Sequence, residues 1–352
     1  MMSLRDHPSK FDRAFLAALF DQAASALNDF SFAPVGTGQV GDSFRVTLDW
    51  EEGVAAPHSL VAKCPAADAT SRETARNMHL YEIETQFYAE FAASCGARVP
   101  QAYAVDYEAT SGDGILLFED MAPAQQIAQM DGCSLDEVEL ILDEAALLHK
   151  SHWGAPHLKS LPWLNYAQQE ERRAFLTQLV PAIYPDWRAR YEGRLSAEIL
   201  DMGAELVARF DTYMTQREGP IVLSHGDMRL DNMLFTDSAG RVVLLDWQTA
   251  SAANPMGDIA YAISTSLADA GLRAGAEEAL VARYHAALGD CVGAYDFEAA
   301  WADYRRAAFA GFIMALVSAM LVERTERGDE MFAVMAERSG WQALHLDALS
   351  LI

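Results

Sequence analysis

The sequence predicts an α+β chain in two lobes: a small antiparallel sheet with one inserted helix, then a larger, mostly helical lobe. Three observations predict it. Short β-rich runs crowd residues 30–119, namely Asp42–Trp50, Ser59–Cys64, Gln101–Tyr107 and Gly114–Phe118. One helical pattern, about 72–95, interrupts them, with Leu80, Ile83, Phe87, Tyr88 and Phe91 at i±3 and i±4 steps. Beyond residue 120 helical periodicity dominates, except for the short apolar runs Ile221–Leu223, Met233–Phe235 and Val242–Leu245. The boundary is expected near Glu119–Pro123, giving lobes 1–119 and 120–352.

Each element has its own signal. Residues 9–29 carry Phe11, Phe15, Leu16, Leu19, Phe20 and Leu27 at roughly helical spacing, so an amphipathic helix is expected ahead of the sheet. In the second lobe, helices are expected at about 134–153, 168–180, 196–217, 256–269, 275–288, 296–326 and 329–347. The longest apolar run, Ala307–Val322, has 16 residues. That is short of the ~20 a membrane helix needs, and it reads as a helix buried inside the lobe.

Composition narrows the function. The chain has 352 residues, 51% hydrophobic and 22% charged, ample material for a core. Lys and Arg number 26 against 51 Asp and Glu, a net charge of −25. Such a field repels duplex nucleic acid and anionic membranes, so neither is an expected partner. A cationic substrate gains a little. The four cysteines, Cys64, Cys95, Cys133 and Cys291, form no CxxC pair, which argues against a zinc site or a disulfide framework. The polar start, Met1–Pro8, does not read as a signal peptide. A reducing, cytoplasmic setting is expected; oligomeric state has no signal in the sequence.

The sharpest pattern is Leu223-Ser-His-Gly-Asp-Met-Arg-Leu-Asp-Asn-Met-Leu-Phe235, with Leu244-Leu-Asp-Trp-Gln248 following. It reads as strand, His-Gly-Asp, four residues, Asn, strand, turn, strand, Asp. A phosphoryl-transfer loop needs that layout. Asp227 accepts the proton of an acceptor hydroxyl, while Asn232 and Asp246 hold Mg²⁺ against nucleotide phosphates. Oxygen ligands suit that hard cation. Each residue alone is unremarkable as a turn, a cap or a buried histidine; the conjunction is specific.

This segment resembles the aminoglycoside phosphotransferase and choline kinase-like superfamily, relatives of the protein kinases. His225 to Asn232 with Asp246-Trp-Gln resembles, more narrowly, the phosphotransferase domains associated with acyl-CoA dehydrogenases. The resemblance covers about residues 28–345 and implies a protein-kinase-like fold. It implies an enzyme that moves the γ-phosphate of ATP to a hydroxyl of a small molecule. An aminoglycoside-like amine or sugar and a hydroxyacyl thioester are both open as acceptor. The competing class is a nucleotide-binding pseudokinase that acts as an interaction module.

The resemblance assigns upstream residues too. Ser59–Lys63 is similar to the strand whose terminal Lys contacts the α- and β-phosphates, so Lys63 takes that role. Its acidic partner is expected at Glu84, in the middle of the apolar helix face, where a carboxylate is costly unless paired. Glu82 sits on a more mixed face. Gly36, Gly38, Gly41 and Ser43 resemble a glycine-rich phosphate loop. Leu116–Met121 resembles the hinge that reads the adenine edge, which assigns Phe118, Glu119 and Met121 to the nucleotide. Ala62 and Leu234 would sandwich the ring.

Two departures shape the reading. Eleven residues separate Asp246 from Asp258, too few for a long phosphorylatable activation loop. Arg229 stands two residues after Asp227, as a cation for the moving phosphoryl group or as a structural partner of Asp231 or Asp258. Asp258, in the first turn of a helix, is expected to buttress the loop, and His149 to pack behind it. Trp163, Tyr166, Tyr184, Trp187 and Tyr191 form an aromatic-rich stretch that either lines an acceptor site or packs between helices.

Overall fold

The computed structural model describes residues 4–36, 40–166, 170–215, 219–236 and 240–352, without the side chains of Asn165 and Tyr166. The chain divides into two compact units, 1–93 with 99–123, and 94–98 with 124–352.

The first unit is built on a five-stranded antiparallel sheet. Its strands are β1 (Leu27–Pro34), β2 (Gly41–Trp50), β3 (Ser59–Pro65), β4 (Ala102–Glu108) and β5 (Asp113–Glu119), in the order β1-β2-β3-β5-β4. Strand alternation puts Leu60, Ala62 and Cys64 on one face of β3, buried with Val46, Leu48, Ile115 and Leu117. The helix expected over 9–29 is instead a short α1 (Arg13–Ala18), and β1 already begins at Leu27. Asp21, at φ 56°, breaks the helical path. Most of β1 is exposed, so its sequence shows no clean apolar alternation.

The inserted helix is also two helices, α2 (Ala69–Asn77) and α3 (Leu80–Glu90). His79, at φ 58°, separates them. Arg72 and Arg76 of α2 both reach the carboxylate of Asp113 at the start of β5, which ties α2 to the sheet by its own contacts.

The second unit is mostly helical. Its helices are α4 (Leu135–Ser151), α5 (Glu170–Tyr191), α6 (Ala197–Ala208), α7 (Phe210–Thr215), α8 (Met256–Ser266), α9 (Ala270–Leu288), α10 (Phe297–Ala307), α11 (Ala310–Leu321) and α12 (Glu326–His345). A capping box of Ser134 and Glu137 starts α4. Helix α5 runs past Pro181 and Pro185 because Tyr184, Trp187 and Tyr191 are buried along it. Trp187 meets Tyr184, Tyr191 and Phe312 at 5.1–5.8 Å between ring centroids. For these three aromatics the structure therefore gives a packing role.

One helical stretch among the described residues, Phe297–Leu321, has the length and mean hydropathy (1.3) to cross a membrane. It breaks between α10 and α11 at Ala308–Phe309, and α11 packs on α12, α8 and α5, with Gly311, Phe312, Ala315, Leu316 and Ala319 buried.

Five short strands complete the unit: β6 (Asn165–Tyr166), β7 (Val222–Ser224), β8 (Met233–Phe235), β9 (Val242–Leu244) and β10 (Ser251–Ala253). β10 lies between β6 and β7, and β8 pairs with β9 as a hairpin. The segment 225–232 is the loop that joins β7 to this hairpin.

Candidate functional site

In the first unit the chemistry centres on Lys63. It stands on the face of β3 opposite the apolar core, beside Ser43 on β2 and Leu116 on β5. Its ammonium donates to both carboxylate oxygens of Glu84 on α3, at 2.8 and 2.6 Å. Glu84 is only 2% exposed, so this contact offsets the cost of burying its charge. Glu82 instead faces the His79 ring, at 3.1 Å.

The other residues assigned upstream are distributed unevenly. Gly36, at φ 78°, has open space where a side chain would stand. Gly38 lies outside the described residues. Gly41 and Ser43 belong to β2 and not to the loop, with Gly41 opposite Pro65. Ala62 is corrected by strand geometry: it is fully buried in the apolar core on the face away from Lys63. Val61, which the sequence reading passed over, shares the Lys63 face and pairs with Phe118. The Phe118 ring packs on Tyr88 at 4.6 Å and is nearly buried. The Glu119 amide donates to the Gln101 carbonyl and so does not point to a ligand. Met121 is half-buried.

In the second unit the loop 225–232 is held from behind by one carboxylate. Asp258, in the first turn of α8, accepts the His225 amide at 2.8 Å and the Gly226 amide at 2.9 Å. His149 of α4 donates to Asp258 Oδ2, which also accepts the His225 amide, at 3.1 Å, and the Tyr284 hydroxyl donates to the far nitrogen of that ring at 2.6 Å. Burial alone would raise the Asp258 carboxyl; His149, His225 and the Gly226 amide outweigh it and hold the group below its usual range. Gly226 sits at φ 81°, and a Cβ there would fall 2.4 Å from the Thr249 carbonyl oxygen, so only glycine fits.

His225 locks the loop to the hairpin. Its Nδ1 accepts the Asp227 amide at 3.2 Å, which leaves the Nε2 proton for the Leu245 carbonyl at 2.8 Å. The Trp247 ring covers it at 4.5 Å.

The result is a fixed carboxylate at Asp227. Its Oδ1 accepts the Tyr261 hydroxyl at 2.6 Å, and its Oδ2 accepts Asn232 Nδ2 at 2.8 Å. Arg229 Nε lies 3.2 Å from the same group. Arg229 also donates to Asp231 Oδ2 at 3.0 Å, and Arg327 of α12 donates to the same oxygen at 3.1 Å. Of the two structural partners expected for Arg229, Asp231 is present and Asp258 is not. Burial disfavours the Arg229 charge, but Asp227, Tyr261, Asp231 and Asp246 carry its pKa above the ordinary value.

Asn232 and Asp246 are brought together by the hairpin. Met233 pairs with Leu244, and the Leu245 amide donates to the Asn232 carbonyl at 2.9 Å. Asn232 Nδ2 faces two Asp227 oxygens, which turns its amide oxygen away from them. Asp246 adopts left-handed backbone, φ 63°, as few residues besides Asp, Asn and Gly do. Among the described residues no group of three His, Cys, Asp or Glu is spaced to hold a metal ion. Two hard oxygens from Asn232 and Asp246, with phosphate and water completing the shell, nonetheless fit the habit of Mg²⁺. Leu234 is half-buried on β8, opposite Val243.

The sequence reading missed Tyr261, Arg327 and Val61. Tyr261 had a local signal, since it follows Asp258 by three residues on one helix face.

Comparison with known proteins agrees with this architecture. The ecdysteroid kinase-like family profile matches residues 39–297. Acyl-CoA dehydrogenase family member 11 of Gallus gallus is 31% identical over 77 residues, 22% of this chain and 10% of that much longer protein. Among solved structures, a microcompartment-associated aminopropanol kinase superposes with TM-score 0.56 at 16% identity, covering 93% of this chain and 97% of its own. The gentamicin complex of APH(2")-IIa gives TM-score 0.53 at 16% identity, covering 97% and 99%. The GDP complex of wild-type aminoglycoside 2'-phosphotransferase-IIIa gives 0.52 at 13%, covering 89% and 93%. At these identities the likeness is one of fold, the kinase-like fold of the aminoglycoside phosphotransferases. With the family profile spanning Lys63, Glu84, Asp227, Asn232 and Asp246, this chain belongs to the ecdysteroid kinase-like family.

Proposed function

We propose that the protein transfers the γ-phosphoryl group of Mg·ATP to a hydroxyl of a small molecule. The observation that carries this reading is the Asp227 carboxylate, held rigid beside Asn232 on a loop that Asp258 fixes from behind. Asp227 orients the acceptor hydroxyl and takes its proton as the hydroxyl oxygen bonds to the γ-phosphorus. The bond from that phosphorus to the bridging oxygen breaks, and ADP leaves with the electron pair. Asn232 and Asp246 would hold Mg²⁺, which when bound offsets phosphate charge. Lys63, steadied by Glu84, binds phosphate oxygens. Arg229 supplies a cation beside Asp227 that stays charged at any working pH.

The acidic composition favours a cationic acceptor such as an amino alcohol or amino sugar. Arg229 does not argue for an anionic one, because Asp227 and Asp231 already engage it. A hydroxyacyl thioester is the second acceptor class. The pseudokinase alternative predicts a gap in the set Lys63, Glu84, Asp227, Asn232 and Asp246, and the sequence carries all five. Four cysteines with no CxxC pair suit a reducing, cytoplasmic setting.

The test is transfer from γ-labelled ATP to amino alcohols, aminoglycosides and hydroxyacyl thioesters, with and without Mg²⁺. Mg²⁺-dependent labelling of one class is the expected result. Nucleotide binding without transfer to any acceptor or to water would support the pseudokinase. Calorimetry adds a direct check on the metal: Asp246→Asn should remove the Mg²⁺ dependence of ATP binding.

A further inference from the structure

Helix α8 touches the loop twice. Asp258 holds the backbone of His225 and Gly226, and Tyr261, three residues on and on the same face, reaches the Asp227 side chain. We propose that Tyr261 is a positioning residue for phosphoryl transfer, fixing the Asp227 carboxylate in the orientation that receives the acceptor proton. This inference rests on the function proposed above.

Three observations support it. The Tyr261 hydroxyl lies 2.6 Å from Asp227 Oδ1, the length of a charge-assisted hydrogen bond. Asn232 binds the other oxygen, so the carboxylate is pinned at both ends and cannot rotate without losing a partner. Oδ2 also accepts Arg229 Nε at 3.2 Å, whereas Oδ1 keeps a second lone-pair direction for an acceptor hydroxyl.

The ring itself is immobilised. Tyr261 is 2% exposed, and Gly311 of α11 lies against it: a Cβ at Gly311 would come within 3.0 Å of Tyr261 Cδ2. Burial and the adjacent Asp227 charge push the phenol well above its ordinary pKa. It therefore stays a neutral donor and does not compete for the proton. Arg229 approaches the same carboxylate, but it also binds Asp231, so its geometry answers to two groups.

The test uses the full chain and Mg·ATP hydrolysis, with water as the probe acceptor. Tyr261→Phe keeps the ring and removes only the hydroxyl. The expected result is a loss in kcat of about 10–100-fold, the usual range for one charge-assisted hydrogen bond, with the ATP KM within about twofold. In an Asp227→Asn background, the same change should cost nothing further, because Tyr261 acts through Asp227. A thermal melt of each variant accompanies the kinetics, and a Tm within a few degrees of wild type is expected. Asp227→Asn inactive but Tyr261→Phe fully active would overturn the positioning role alone. Equal losses from Tyr261→Phe in both backgrounds would also overturn it. Full turnover in Asp227→Asn would overturn the reading of Asp227 and this inference with it.

Discussion

Lys63 and Asp227 are both charged groups assigned to the phosphates and the acceptor, yet the chain holds them in opposite ways. Lys63 stands on one strand, and the buried carboxylate of Glu84 meets it from one helix. Asp227 is held by side chains at 229, 232 and 261, on a loop whose backbone is fixed from 258. The first arrangement is a pair that can be exchanged as a unit. The second is a network in which each member restrains several others. A pair tunes affinity for something that binds; a network is suited to keeping one reactive atom in place.

The largest expected effect tests the network at its centre. Asp227→Asn should lower kcat by ~10²–10⁴-fold, the range for a lost general base, while nucleotide affinity stays near wild type. Steady-state kinetics with the identified acceptor, plus nucleotide titration, checks both halves. Retained turnover would make Asp227 a structural group like Asp258.

Next comes the support behind the loop. Asp258→Ala leaves the His225 and Gly226 amides and His149 without their shared acceptor and should cost about 3–5 kcal/mol of stability. Urea unfolding measures it. The sign of the pH dependence follows from the lowered pKa. The carboxylate contributes fully above its ordinary value of 3.8 and less as pH falls toward its folded value. Asp258→Asn should therefore flatten the decline of stability below about pH 4 relative to wild type.

The smallest effect belongs to the pair. Lys63→Met should raise the ATP KM by about 10–100-fold, the worth of one or two charge-assisted contacts. It also takes an ion-pair partner from the buried Glu84, so stability falls. Lys63→Met with Glu84→Leu should recover that stability and leave the nucleotide defect uncorrected, because apolar replacement of a buried ion pair is often neutral. If the double variant stayed as unstable as the single one, the pair would be no more exchangeable than the loop.

The same contrast decides what the sequence made legible. Glu84 could be chosen over Glu82 because a lone carboxylate on an apolar helix face demands a partner. The loop motif located Asp227, Asn232 and Asp246 because their spacing follows a hairpin. Ala62 was misplaced: pattern matching overlooked the two-residue period that turns it toward the core. Strand β1 was missed because it is mostly exposed and carries little apolar alternation. The breaks at His79 and at Ala308–Phe309 fall inside continuous helical patterns, where the backbone departs from the path that periodicity extends. Arg327 was invisible because only tertiary packing brings it to 231, and Tyr261 could be placed on the face of Asp258 but not beside Asp227, which it reaches only through packing.

The glycine at 226 has a consequence for how the protein assembles. Its amide bonds to Asp258 and its Cα lies close under the Thr249 carbonyl, both supplied by chain that follows it in sequence. The loop cannot take its final path until that later segment has docked, so its geometry is a product of late, non-local contacts. The same clamp ties loop order to α8 in the finished molecule. A local opening of α8 would free the Gly226 amide and the Oδ1 end of the Asp227 carboxylate in one event, well short of global unfolding. Catalytic competence would then track the stability of one eleven-residue helix more closely than that of the whole chain.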